Sequence, residues 1–228
     1  MMEQWLISHE TVVIGVSFYG MLALVAVWES FSPAKPPTTS TPIRWLNNFA
    51  LLALDNLFIR LVFPLLAVSL SFTAAKHGWG LFNLVSLPMW LMLPVSLIIL
   101  DFAAYVVHRL LHEVPWLWRL HKIHHADLDY DVTTALRFHP LEAPVTLGTK
   151  MVVVASLGIH PVAVIIYEAL FMGTAFINHG NIHLPKKLDY LLRPFIVTPD
   201  MHRIHHSIDL RESNSNFAGI FSVWDHLF

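Results

Sequence analysis

The stretch "LMLPVSLIILDFAAYVVHRLLH", residues 91–112, is almost wholly apolar until it closes on two histidines four positions apart, His108 and His112. An apolar run of this kind reads as a membrane helix, since about 20 such residues cross the hydrocarbon core of a bilayer. Side chains at i and i+4 share a helix face, so both imidazoles leave the helix end pointing the same way. A pair of metal-capable groups is thus attached to the end of a membrane segment.

The arrangement recurs downstream. "LWRLHKIHHADLDY" (117–130) carries His121, His124 and His125; "NHGNIH" (178–183) carries His179 and His183; "DMHRIHHS" (200–207) carries His202, His205 and His206. With 15 histidines in 228 residues, His-x-x-His-His should arise by chance about 0.06 times. It occurs twice, and the i, i+3, i+4 spacing aims each triplet at one spot. Ten candidate ligands exceed the six that one ion takes. Divided between two octahedral ions they give five each, with one position open on each. None of the four clusters contains a glutamate, which argues against the Glu-x-x-His sites of soluble di-iron bundles and against the His-Glu-x-x-His protease motif. Imidazole suits zinc, copper, iron and nickel alike, so ligand type does not choose the metal. The chain has no cysteine, which excludes thiolate ligands, disulfides and a cysteine nucleophile.

Composition places the chain in a membrane: 55% of residues are hydrophobic and 13% charged, about half the charge of a soluble domain. A net charge of −2 without a polybasic run gives no reason to expect nucleic acid. The expected spans are 11–28, 47–70 and 81–107, the last kinked at Pro88 and Pro94. Asp55, Asn56 and Arg60 should face inward from the second. Residues 144–177, interrupted by "GIHP", read as a helical hairpin whose halves are short for a full crossing. The chain is expected to be a single all-α, multi-span membrane domain, 1–228. Residues 1–10 hold no lysine or arginine, so the first run reads as an anchor and not a cleaved signal. Eleven of the 14 lysines and arginines fall on the side of the histidines, among them Lys35 and Arg44, which makes the histidine-rich cap cytoplasmic and the N-terminus external.

Around the clusters, Asp101 shares a helix face with Tyr105, His108 and His112 and is expected to accept from a ligand's ring N–H. His139 in "RFHPLE" and Asn178 are further supporting candidates. Asp127, Asp129 and Asp131 read as a solvated loop. Trp116 and Trp118 suit an interfacial belt, and His9, His77, His160 and His226 read as ordinary polar residues.

The order "HRLLH", "HKIHH", "RFHPLE", "NHGNIH", "HRIHH" and the ending "NSNFAGIFSVWDHLF" resembles the fatty acid hydroxylase and sterol desaturase superfamily of membrane oxygenases, over roughly residues 95–228. Members usually continue past the Trp-Asp-x-Leu-Phe element, whereas this sequence ends at Phe228. The resemblance implies a di-iron centre on the ten histidines, dioxygen as co-substrate, and hydroxylation or desaturation of a lipid such as a fatty acyl chain or sterol. Zinc can replace iron in preparations. Two readings of other classes stand beside it: a histidine-based metal-binding or transport protein, and a zinc hydrolase. Oxidation of a C–H bond by dioxygen draws two electrons from outside the substrate. With no cysteine for an iron–sulfur cluster and no Gly-x-Gly-x-x-Gly motif, a separate ferredoxin or b-type cytochrome with its reductase is expected to dock near Arg119, Lys122, Lys186 and Lys187.

Overall fold

A computed structural model describes residues 1–85 and 87–228, and all its regular elements are helical. In chain order these are α1 (Met2–Ser8), α2 (Glu10–Phe31), α3 (Thr41–Val62), α4 (Ala67–His77), α5 (Leu81–Leu84), α6 (Met89–Glu113), α7 (Pro115–His125), α8 (Ala143–Leu157), α9 (Pro161–His179), α10 (Lys186–Leu192), α11 (Pro199–His205), α12 (Leu210–Ser213) and α13 (Val223–Leu227). Two 3₁₀ turns, Val132–Leu136 and Pro140–Glu142, lie between α7 and α8. Prolines open α3, α7, α9 and α11, where a missing N–H costs nothing.

Four stretches are long and apolar enough to cross a membrane: Glu10–Phe31, Thr41–Leu84, Met89–Glu113 and Pro161–His179. The outward faces of α2 and α3 present Val12, Val16, Tyr19, Leu54 and Leu57, as a lipid-facing surface would. The first expected span coincides with α2. The second is corrected: Pro64 cannot continue a helix and biases the preceding residue toward extended backbone. Phe63 adopts that conformation, so α3 ends at Val62 and α4 is a separate short helix. The third span is also corrected. Pro88 caps the start of α6 and makes no kink, Pro94 lies inside α6, and the helix runs through His108 and His112; Ser86, within the expected range, lies outside the described residues.

The hairpin is present as α8 and α9, but the expectation that both halves are short for a crossing is corrected, since α9 is long and apolar enough to span. Gly158 ends α8 with φ at +65°, a conformation open to glycine at little cost, and His160 accepts from Val162 N–H to cap α9. At this tip Gly158 meets the carbonyl of Trp79 and Gly80 meets the backbone of Gly158, so neither position has room for a Cβ. A core of Leu100, Val154, Ile159, Val164 and Tyr167 joins α6 to the hairpin.

The ends of the bundle differ. Glu3 of α1 approaches His160 at the hairpin tip. At the other end, Glu29 of α2 accepts from Val132 N–H and Asn181 N–H, in the region where α6, α7 and α9 deliver their histidines. The N-terminus and the histidine cap therefore occupy opposite ends.

Candidate metal centre

Nine of the ten expected histidines converge in two groups. His108, His112, His121, His125 and His205 form one; His124, His179, His202 and His206 form the other. Helical spacing does the sorting: on α7, His121 and His125 face the first group while His124 faces the second, and on α11 His205 is separated from His202 and His206 in the same way. His183 lies outside both groups, with Nδ1 2.9 Å from Asp200 Oδ1 and the side chain exposed.

The ring nitrogens test whether a metal fits. In the first group His108 Nε2 lies 3.2 Å from His121 Nε2 and 3.1 Å from His205 Nε2. In the second, His179 Nε2 lies 3.1 Å from His124 Nε2 and 3.0 Å from His202 Nε2. Ligands about 2.1 Å from one ion and at right angles to each other stand roughly 3.0 Å apart. His112 Nε2, His125 Nδ1 and Nε2, and His206 Nε2 are buried without any hydrogen-bond partner, an arrangement that asks for an explanation. A cation in each group supplies one. Burial, reinforced by neighbouring imidazoles, holds His121, His124, His202, His205 and His206 well below the usual histidine pKa. Their rings are neutral at pH 7, the form that ligates.

Support from behind differs between the groups. In the first, His108 Nδ1–H donates to Phe217 O at 2.7 Å, His205 Nδ1–H to Ser215 O at 2.7 Å, and His112 faces Asn214 Oδ1 at 3.3 Å. His121 Nδ1 faces Glu142 Oε1 at 3.1 Å. Such partners fix which nitrogen is offered to a metal. In the second group His179 Nδ1–H donates to Ala175 O at 2.7 Å, whereas His124 Nδ1 and His202 Nδ1 have no partner. Phe138 stacks on the His124 ring at 4.7 Å, and Trp118 packs on His112 and His125.

Several sequence expectations are corrected. Asp101 contacts no ligand; it accepts from Ile220 N–H, Phe221 N–H and the Trp224 indole N–H, clamping the final segment onto α6. Tyr105 packs against Phe217 and Phe102. His139, expected either to support the site or to shape its loop, does the latter: its Nδ1 accepts from Leu141 N–H as a turn cap. Asn178 donates to Gly219 O, beside but not on the ligand rings. Asp127 and Asp131 are not a solvated loop but hold the buried guanidinium of Arg44, at 2.8 and 2.7 Å, and Asp129 binds the N–H and hydroxyl groups of Thr38 and Thr39. Burial alone would raise the Asp127 carboxyl, but the Arg44 guanidinium takes it below the ordinary range. Sequence reasoning missed Glu142, although "RFHPLE" contains it.

Two openings reach the histidines. A cavity of about 370 Å³ runs between α3, α6, α8 and α9. Leu100, Ala104, Val107, Phe171 and Met172 give it apolar walls, and His108, His121, His124, His179 and His202 line its end. A broader groove of about 860 Å³, walled in part by Asp127, Asp129 and Arg203, reaches His125 and His206.

The model of the family described as fatty acid hydroxylase matches residues 93–228. Human alkylglycerol monooxygenase is 27% identical over 91% of this chain, and the ornithine lipid hydroxylase of Rhizobium tropici 27% over 93%. A cholesterol 25-hydroxylase-like protein of Danio rerio is 33% identical over 60% of the chain and 53% of its own length. The chain spans 44% of the human protein and 65% of the Rhizobium one. No solved structure matches.

Proposed function

The chain belongs to the fatty acid hydroxylase family, and from that premise we propose that it is a membrane oxidoreductase using dioxygen to hydroxylate or desaturate a C–H bond of a lipid drawn from the bilayer. The observation that carries this reading is the convergence of nine imidazoles in two groups, five of which line the end of one apolar cavity between membrane-length helices. A transporter would set its ligands near mid-membrane along the spans, whereas these lie at helix ends. A zinc hydrolase needs only three or four protein ligands for its ion.

Two iron ions held by the two groups would supply the activation of dioxygen that an unactivated C–H bond demands. The protein's own part is placement and exclusion. Leu100, Ala104, Val107 and Phe171 hold an acyl or sterol chain out of water, and fixing one methylene beside the reacting centre turns an encounter into a positioned reaction. Glu142 and the carbonyls of Phe217 and Ser215 hold the proton at Nδ1 of their partner rings and keep Nε2 free. His183 would be the tenth ligand. Its Nδ1 is already engaged by a carboxylate, Nε2 is left free, and of the two groups the one of four is short of a ligand.

We place the histidine end in the cytoplasm, on the distribution of lysine and arginine. Arg119, Lys122, Lys186 and Lys187 are all exposed and suit an acidic electron carrier, a ferredoxin or b-type cytochrome served by its reductase. The test is a reconstituted protein with iron, carrier, reductant and candidate lipids. Two ions per chain and oxygen consumption matched by lipid oxidation are expected. Hydrolysis or metal flux without oxygen uptake would defeat the reading.

A further inference from the structure

The cavity wall carries polar atoms that the proposed oxidation does not use. Glu142 is 3% exposed; one of its oxygens faces His121 and the other, Oε2, has no partner. Asn178 is equally buried, and because its amide N–H₂ donates to Gly219 O, its Oδ1 is left unpartnered. Asp55 Oδ1 is buried without a partner as well. All three residues line the same cavity. Asp55 lies on α3 eleven residues beyond Arg44, about 16 Å along the helix axis. A carboxylate at such depth is costly and marks function by default.

What is missing from the cavity points to its occupant. Among the described residues Lys150 is the one lysine or arginine that lines it, and both Glu168 oxygens hold its ammonium, at 2.8 and 3.0 Å. The free polar valence contributed by Asp55, Glu142 and Asn178 therefore consists of acceptors. A second carboxylate, such as that of a free fatty acid, would bring more acceptors and no donor to these oxygens, and the ammonium of Lys150 is already engaged. A hydroxyl or an ammonium would satisfy oxygens that otherwise remain buried and unpaired, at substantial cost.

We propose that this cavity takes a lipid whose headgroup is a hydrogen-bond donor, hydroxyl or ammonium, and seats that headgroup on Asp55, Glu142 and Asn178. The assignment rests on the reading of the cavity as the substrate site and names its substrate class. Because Glu142 also backs His121, the headgroup end and the histidine end of the cavity adjoin.

The test measures binding without turnover, on detergent-solubilised protein of known metal content and without reductant. Three probes of equal chain length are compared: a monoalkylglycerol, a long-chain primary amine and the free fatty acid. The diol, the amine or both should bind at least tenfold more tightly than the acid, and whichever binds identifies the donor. Asp55→Leu should erase that advantage with metal content unchanged. Asp55→Asn keeps an acceptor but no charge, so it should weaken the amine and spare the diol. Equal affinity for all three probes, tighter binding of the acid, or an advantage that survives Asp55→Leu would overturn the proposal. A protein that binds donor lipids but oxidises none would defeat the proposed activity and leave the headgroup site standing.

Discussion

His121 and Glu142 form a buried pair, Nδ1 to Oε1 at 3.1 Å, that joins the histidine-bearing face of α7 to the start of α8 and the cavity wall. Removing the carboxylate leaves the ring free to turn or to offer the wrong nitrogen. Glu142→Gln should lower affinity for one of two ions by roughly 10- to 100-fold. Competition with a chelator of known affinity checks it, and unchanged affinity would show that the pair only packs.

The two groups of histidines should release metal unequally. Four of the five rings in the first group have an acceptor behind Nδ1, but only His179 in the second donates to a protein carbonyl. Stepwise chelation should therefore remove one ion well before the other, with the early loss from the group of His124, His179, His202 and His206. His124→Ala should abolish the early step and leave the late one. A single concerted release would contradict this.

If His183 is the tenth ligand, His183→Ala should weaken the early-released ion and leave the other untouched, because the group of four is the one short of a ligand and Asp200 already engages Nδ1 of this ring. Metal content near two in wild type, falling toward one in the variant, is the expected result. Retention of both ions with unaltered affinity would exclude a tenth ligand.

Arg44 is buried between Asp127, Asp131 and the carbonyl of Asp129, so it fastens α3 to the loop that follows His125. Arg44→Met strands two acids in a protein interior, at a cost of about 3–5 kcal/mol. Thermal unfolding in detergent should record this, and Arg44→Lys should recover only part, since an ammonium cannot reproduce the bidentate contact with Asp127. A loss below about 1 kcal/mol, the size of an exposed pair, would mean that the network is open to water.

Local spacing made the two histidine groups legible. Intervals of three and four residues on α6, α7, α9 and α11 survive folding because a helix preserves them. "GIHP" likewise announced the hairpin, since Gly158 and Pro161 carry their conformational instructions with them. The second span was misjudged because overall apolarity hides where a helix stops, although Pro64 marked the place. Glu142, by contrast, is 21 residues from His121 and has no spacing to announce it. Arg44 is 83 residues from Asp127, so an acidic loop looked solvated. Asp101 was assigned by helix-face arithmetic that was itself sound. The arithmetic could not foresee that residues 220–224 would lie across that face and engage both carboxylate oxygens.

Asp101→Leu should accordingly act at a distance. It strips the acceptor from Ile220, Phe221 and Trp224, loosening the segment whose carbonyls hold His108 and His205. Selective weakening of the late-released ion, with the early one unaffected, is the expected outcome. Unaltered metal affinity would show that residues 214–228 keep their place without the clamp.

That dependence has a consequence for biosynthesis. His108 is aimed by a carbonyl 109 residues further along the chain, and His205 by one ten residues further. While the ribosome is still translating the middle of the protein, the early histidines have entered their helices but lack the carbonyls that orient them. On the proposed reading, metal loading of the first group should therefore follow synthesis of residue 217 and not accompany insertion. Nascent chains arrested before that point should emerge membrane-integrated and metal-poor.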